Sequence, residues 1–305
     1  MLHHPAGVLR IPARSTRRRA SVRTLAALAA AGVVTGLIAG CSTQSQAAAP
    51  PTRGGLSTAY GPAKGGGQER ARDFLRTRRL LEHVAGRLGD RLRLPPRVEI
   101  ALTGRSCGSS DVAYDPEKGR VELCYEFVDE VRELFEDEAA GSDAAGSVDA
   151  DAEGASAARV ADAVADKTAG VVTETLYHEV AHALIDRLEL PIVGREEDVA
   201  DQFAAFNLIP QGSAGRAAVL AAAENYALYA EQTDPRDIDF ADEHLPDASR
   251  AANYRCYVYG SAPRSHDDLV DGELLTKARA ELCEDEYADL RRGWGELLAP
   301  YETAR

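Results

Sequence analysis

Residues 175–184 read Thr-Leu-Tyr-His-Glu-Val-Ala-His-Ala-Leu, which sets His178 and His182 four positions apart with Glu179 beside the first. In a helix, side chains four apart share one face about one turn from each other. Both imidazoles can therefore reach a single zinc ion while Glu179 projects next to it. Zinc lowers the pKa of water toward neutrality, and a neighbouring carboxylate can take the proton and pass it to a leaving amine. The chemistry this spacing suits is metal-assisted hydrolysis of a peptide bond.

His-Glu-x-x-His alone arises by chance in on the order of 1% of chains of this size, so its surroundings must decide. Val160, Val164, Val172, Leu176, Val180, Leu184 and Leu188 form a core track on one helix face, and packing of that track does not account for the histidines on another. A buried imidazole without a partner is costly, and a metal is a natural partner. Downstream, Glu197 and Asp201 are again four apart on a second helical segment. Glu197 can then complete a zinc site while Asp201 reaches the other nitrogen of a zinc-bound histidine. The plain alternatives are a buried hydrogen-bonded histidine pair and an acidic first helical turn at Glu196, Glu197 and Asp198 answering the helix dipole, worth a few tenths to about 1 kcal/mol each. Glu196 and Asp198 are read in that second way, and Asp198 or Asp201 could stand in for Glu197 as ligand.

HExxH followed by Glu-x-x-x-Asp on a second helix is similar to the gluzincin metallopeptidases, the thermolysin type. The resemblance implies His178, His182 and Glu197 as zinc ligands, Glu179 as general base and Asp201 as the carboxylate orienting His178. The metzincin pattern is absent, since its glycine and third histidine would fall on Ile185 and Leu188. More broadly, residues 69–303 resemble a family of bacterial secreted proteins described as metallopeptidases. That likeness runs through Cys124-Tyr125-Glu126, the HExxH helix, residues 194–204, Asp242-Glu243-His244 with Arg250, Cys256-Tyr257-Val258-Tyr259-Gly260 and Cys283-Glu284-Asp285-Glu286-Tyr287. Peptide hydrolysis also needs a donor to the developing oxyanion. Among His244, Arg250, Tyr254 and Tyr257 we choose His244, partly for its place in that family; the plain alternative is a surface turn. His83 and His266 read as exposed or locally bonded.

Such a site needs elements to position it. From Glu69 to about Leu92 the apolar residues Phe74, Leu80, Leu81, Val84 and Leu88 recur at helical spacing and stop before Pro95-Pro96. Residues 97–102 alternate as a strand, and 112–114 and 120–125 flank the turn Asp115-Pro116-Glu117-Lys118-Gly119 as a hairpin. Helical spacing returns at 126–138, 160–190, 196–208, 214–232 and 273–298. Residues 137–158 hold no aromatic or basic side chain and read as a disordered acidic insertion. The expected architecture is α+β and zincin-like: a small sheet with a β-hairpin, a buried HExxH helix and a mainly helical C-terminal lobe.

The chain of 305 residues is 45% hydrophobic and 28% charged, which excludes wholesale disorder and a multi-span membrane protein. Six arginines precede residues 24–40 (TLAALAAAGVVTGLIAG), an uncharged stretch with the layout of a secretory signal. Its end, Leu37-Ile38-Ala39-Gly40-Cys41, resembles the lipobox of bacterial lipoproteins. The implied organisation is a signal peptide over 1–40, a lipidated Cys41 with a Pro/Gly-rich flexible linker over 41–68, and a metallopeptidase-like domain over 69–303. Without the six arginines the chain keeps 29 basic against 49 acidic residues, a net charge of −20, which argues against a nucleic-acid partner.

Cys107, Cys124, Cys256 and Cys283 remain, an even number in a chain read as exported, and so predict disulfides. Of the three pairings, Cys107 with Cys124 and Cys256 with Cys283 are favoured because each pair is close in sequence; free buried thiols are the alternative. These readings converge on a lipid-anchored zinc peptidase acting outside the cytoplasm on a peptide or protein substrate. The rival is a zinc-stabilised or metal-free envelope lipoprotein that binds a protein partner, but a purely structural site gives Glu179 no role.

Overall fold

The hairpin turn predicted at 115–119 closes through one side chain. Asp115 Oδ1 accepts hydrogen bonds from the backbone N–H of Glu117 (3.0 Å) and Lys118 (3.1 Å), and Gly119 takes a left-handed φ of 63° that favours glycine. A computed structural model describes residues 54–143 and 150–303. The expected signal peptide, Cys41 and the first part of the linker lie outside the described residues.

In chain order the elements are β1 (Gly55–Tyr60), α1 (Gly66–Arg78), α2 (Leu80–Arg91), β2 (Glu99–Arg105), β3 (Val112–Asp115), β4 (Arg120–Cys124), α3 (Tyr125–Asp143), α4 (Ala150–Leu188), α5 (Glu196–Leu208), α6 (Ser213–Gln232), α7 (Asp247–Ser261) and α8 (Lys277–Leu298). The class is α+β, mostly helical, with one four-stranded sheet in the order β1-β2-β4-β3. β2 runs parallel to both β1 and β4, while β3 is antiparallel to β4. β3 is therefore an edge. Cys124 N–H donates to the Asp111 carbonyl (3.0 Å), and by the antiparallel alternation this register turns the backbone groups of Val112 and Tyr114 away from β4.

Several expectations need correction. Residues 55–60, read as linker, form β1, so the folded domain starts before residue 69. Leu56, Thr58 and Tyr60 are half-buried while their neighbours are exposed, and Tyr60 OH donates to Glu82 (2.9 Å). A short polar stretch with a period of two carries little signal by itself; parallel pairing with β2 supplies the rest. The single helix expected over 69–92 is two, because Arg79 adopts a left-handed φ of 53° and its N–H bonds back to the Arg76 carbonyl. Within the expected disordered stretch 137–158, residues 137–143 end α3 and 150–158 begin α4; 144–149 lie outside the described residues. Alanine and glutamate form helix readily without an apolar face to announce it. The sequence spacing predicts no helix over 247–261, where α7 stands.

α4 runs through the core. Over residues 171–185 every position except Thr175 and His182 is buried, so the expected one-sided track becomes a helix covered nearly all round. It packs against α2, α3, α5, α6, β3 and β4. Disulfides join Cys107 to Cys124 and Cys256 to Cys283. At the second, α7 approaches α8 so closely that a Cβ on Gly260 would stand 2.0 Å from the Cys283 carbonyl oxygen. Trp294 of α8 docks on α5, donating from Nε1 to the Val199 carbonyl (3.1 Å) and packing its ring 4.5 Å from that of Phe203. Among the described residues, no helix is long and apolar enough to cross a membrane.

Candidate metal centre

α4 ends after the HExxH turn, and the chain reverses through Glu189 and Gly194, both at left-handed φ, to enter α5 at Glu196. The reversal lays the first turns of α5 alongside His178 and His182. Glu197 Oε2 lies 3.1 Å from His178 Nε2 and 3.2 Å from His182 Nε2, and the two Nε2 atoms are 3.2 Å apart. Ligand atoms from these three residues lie within 4.8 Å of one another. Two imidazoles and a carboxylate suit zinc and leave a coordination position open for water or substrate.

The other ring nitrogens are held in turn. His178 Nδ1 meets Asp201 Oδ1 at 2.8 Å, and His182 Nδ1 meets Glu196 Oε1 at 3.0 Å. Glu196 thus does for His182 what Asp201 does for His178, a correction to its reading as a dipole-answering surface acid. Nothing in the sequence separates Glu196 from Asp198 except the face each presents to α4. Asp198 joins neither histidine.

Glu179 is buried, and its Oε2 accepts the backbone N–H of Tyr114 on β3 at 2.7 Å. The Tyr114 hydroxyl donates to Asp186, two turns further along α4 (2.8 Å). The edge strand therefore lies directly over the HExxH turn.

His244, on the connection between α6 and α7, brings Nε2 to 3.0 Å from the same Glu197 oxygen. Its Nδ1 contacts Asp242 (3.2 Å), and Arg195 donates to its carbonyl (3.4 Å). It is not one of the three residues whose ligand atoms cluster.

Arg250 and Tyr254, weighed as oxyanion donors, point instead at Asp201. Arg250 donates from Nε to Oδ2 (2.9 Å) and from Nη2 to Oδ1 (2.6 Å), and Tyr254 OH lies 3.2 Å from Oδ1. Tyr254 also bonds Glu174, a fully buried carboxyl one turn before His178. Tyr257 is buried as well. His83 lies on α2, bonded to Gln211, and His266 lies in the turn after α7, so neither joins the centre.

Electrostatics follow from this packing. Burial opposes charge on His178, but hydrogen bonds to Asp201 and Glu197 outweigh it and raise its pKa to about 10. His182 is likewise raised to about 9, burial being overcome by Glu196 and Glu197. Burial works against an ionised Glu197, yet contacts with His178, His182 and His244 hold it well below the usual carboxylate range. Burial pushes Glu179 up. Glu174 is also raised, by burial and then by Asp201. With His178 and His182 neutral, as metal ligation requires, the buried ionisable groups left are the carboxyls Glu174, Glu179, Glu197 and Asp201 and one cation, Arg250. A divalent cation fits that imbalance, and so the residues present fit a metal on both donor type and charge.

Residues 60–298 match a protein family described as "Putative metallopeptidase". No curated protein and no solved structure matches the chain.

Proposed function

Because the chain belongs to this metallopeptidase family, we propose that it is a zinc-dependent peptidase of gluzincin type and zincin-like fold, hydrolysing peptide bonds outside the cytoplasm. The observation that carries the reading is the meeting of His178, His182 and Glu197 at one point, with Glu179 buried beside it. When bound there, zinc supplies Lewis acidity to a carbonyl oxygen and acidifies water. The remaining work belongs to side chains and backbone of this chain.

Glu179 is the general base. The Tyr114 N–H fixes Oε2, leaving Oε1 to take a proton from the attacking water. Burial raises the affinity of the carboxyl for that proton, so Glu179 holds it until the leaving nitrogen accepts it. His244, steadied by Asp242 through Nδ1, is the donor toward the developing oxyanion. An extended substrate pairs with the outward backbone groups of Val112 and the Tyr114 carbonyl on β3, the mode open to any peptide meeting a free sheet edge. Pairing there lays the chain across the HExxH turn.

The lipobox-like run ending at Cys41 supports a lipid tether to the cell membrane, and two disulfides suit an oxidising compartment. The role of Glu179 is tested by Glu179→Gln. The variant should keep its zinc and its fold and lose turnover of a peptide substrate that the wild type cleaves; a variant that still turns over removes Glu179 from the mechanism.

A further inference from the structure

Behind His178, three elements converge on the Asp201 carboxylate of α5. From α7, the Arg250 guanidinium grips both oxygens as a fork, and Asp201 is its one ion partner among the described residues. From α6, the ring of Tyr226 lies under that guanidinium, 4.0 Å from Cζ, and stacks on the ring of Tyr254 at 6.0 Å and 8°. From α4, Glu174 engages Tyr254, whose hydroxyl also faces Asp201. Arg250 is 8% exposed and Tyr254 1%, and the polar atoms of both face Asp201.

We propose that Arg250 is a positioning residue of the metal centre: its fork, braced by Tyr226 and Tyr254, fixes the plane of the Asp201 carboxylate and so keeps the His178 proton on Nδ1, leaving Nε2 for the metal. The inference rests on the metallopeptidase reading above. A planar, bidentate guanidinium leaves a carboxylate one orientation, and in that orientation Oδ1 sits 2.8 Å from His178 Nδ1. With the fork removed, the Asp201 carboxylate is free to turn toward Tyr254, and the neutral imidazole that a metal requires can hold its one proton on either nitrogen. A proton on Nε2 blocks the metal. Lysine, a point charge without a fork, cannot fix the plane. The same contacts tie α5, α6 and α7 to the HExxH helix, so helical-lobe geometry is transmitted to one ligand through one carboxylate.

The test uses the full chain and two readouts: zinc affinity by competition with a chromogenic chelator, and the hydrogen-bonded Nδ1 proton resonance of His178 in zinc-loaded protein. Arg250→Met should weaken zinc binding about 10- to 100-fold, the range typical of lost partners behind a metal ligand, and shift or abolish that resonance. Asp201→Asn should do the same, and the double variant should be no weaker than Asp201→Asn alone, because both act along one path. Arg250→Lys, which also serves if Arg250→Met does not fold, should fall between wild type and Arg250→Met. An Arg250→Met or Arg250→Lys protein with wild-type affinity and an unmoved resonance overturns the proposal, as does a loss that adds to that of Asp201→Asn. Wild-type protein that binds no zinc would overturn the metallopeptidase reading and this inference together. Zinc lost in Glu197→Ala but kept in the Arg250 variants would overturn this inference alone.

Discussion

Zinc binding to the metal-free protein should release about two protons at pH 7.5, because metal ligation needs neutral imidazoles and this site holds charged ones. In the metal-free chain the pKa of His178 is raised to about 10 and that of His182 to about 9. Both are then more than about nine-tenths protonated at that pH, whereas two ordinary histidines would together carry only about 0.2 proton. Glu197 contributes none, being held ionised by the three imidazoles around it. Ionisation of a water on the bound metal adds at most about one proton more. Calorimetric titration with zinc in buffers of different ionisation enthalpy measures the count directly as a slope. A slope between two and three is expected, together with an apparent affinity that falls about 100-fold per pH unit below about pH 9. A slope below one would mean that Asp201, Glu196 and Glu197 do not hold the histidines as cations.

The same raised values fix a stability profile for the metal-free protein. Histidines with elevated folded-state pKa contribute stability that is fully present below about pH 6.5 and is lost as pH rises through 9 and 10; Tm measured between pH 6.5 and 10 should fall, and a flat or rising profile contradicts the assignment. Gly260→Ala should destabilise the protein by about 1–3 kcal/mol or more, because its Cβ would meet the Cys283 carbonyl at 2.0 Å. Denaturant unfolding checks this, and an unchanged midpoint would show that α7 and α8 can separate at no cost.

How much of this was legible in the sequence depends on the range of each contact. His178, Glu179 and His182 lie within one helical turn, and Glu197 with Asp201 within another, so spacing brought them forward as candidates, while the choice of Glu197 over Asp198 or Asp201 rests on the gluzincin resemblance. The hairpin was legible because Asp115 and Gly119 are residues the turn itself requires. What was missed depends on partners far away in the chain. β1 is a strand only because β2 lies beside it. Arg79 breaks a helix without glycine or proline to mark the place. Glu174 and Glu196 look like ordinary helical acids until α7 brings Tyr254 to the first and the turn before α5 brings His182 to the second. Arg250 and Tyr254 were weighed as substrate-facing donors because sequence distance does not reveal which side of a ligand a residue approaches; the structure sets them behind His178.

The central claim is that His178, His182 and Glu197 hold one zinc ion. The most direct measurement is the metal content of the purified protein by elemental mass spectrometry, after zinc is supplied and excess removed, beside a Glu197→Ala variant. About one zinc per chain, lost or sharply weakened in the variant, is the expected result. Wild-type protein that retains no zinc, or a variant that retains as much, would contradict the claim and leave the two histidines as buried partners of Asp201 and Glu196.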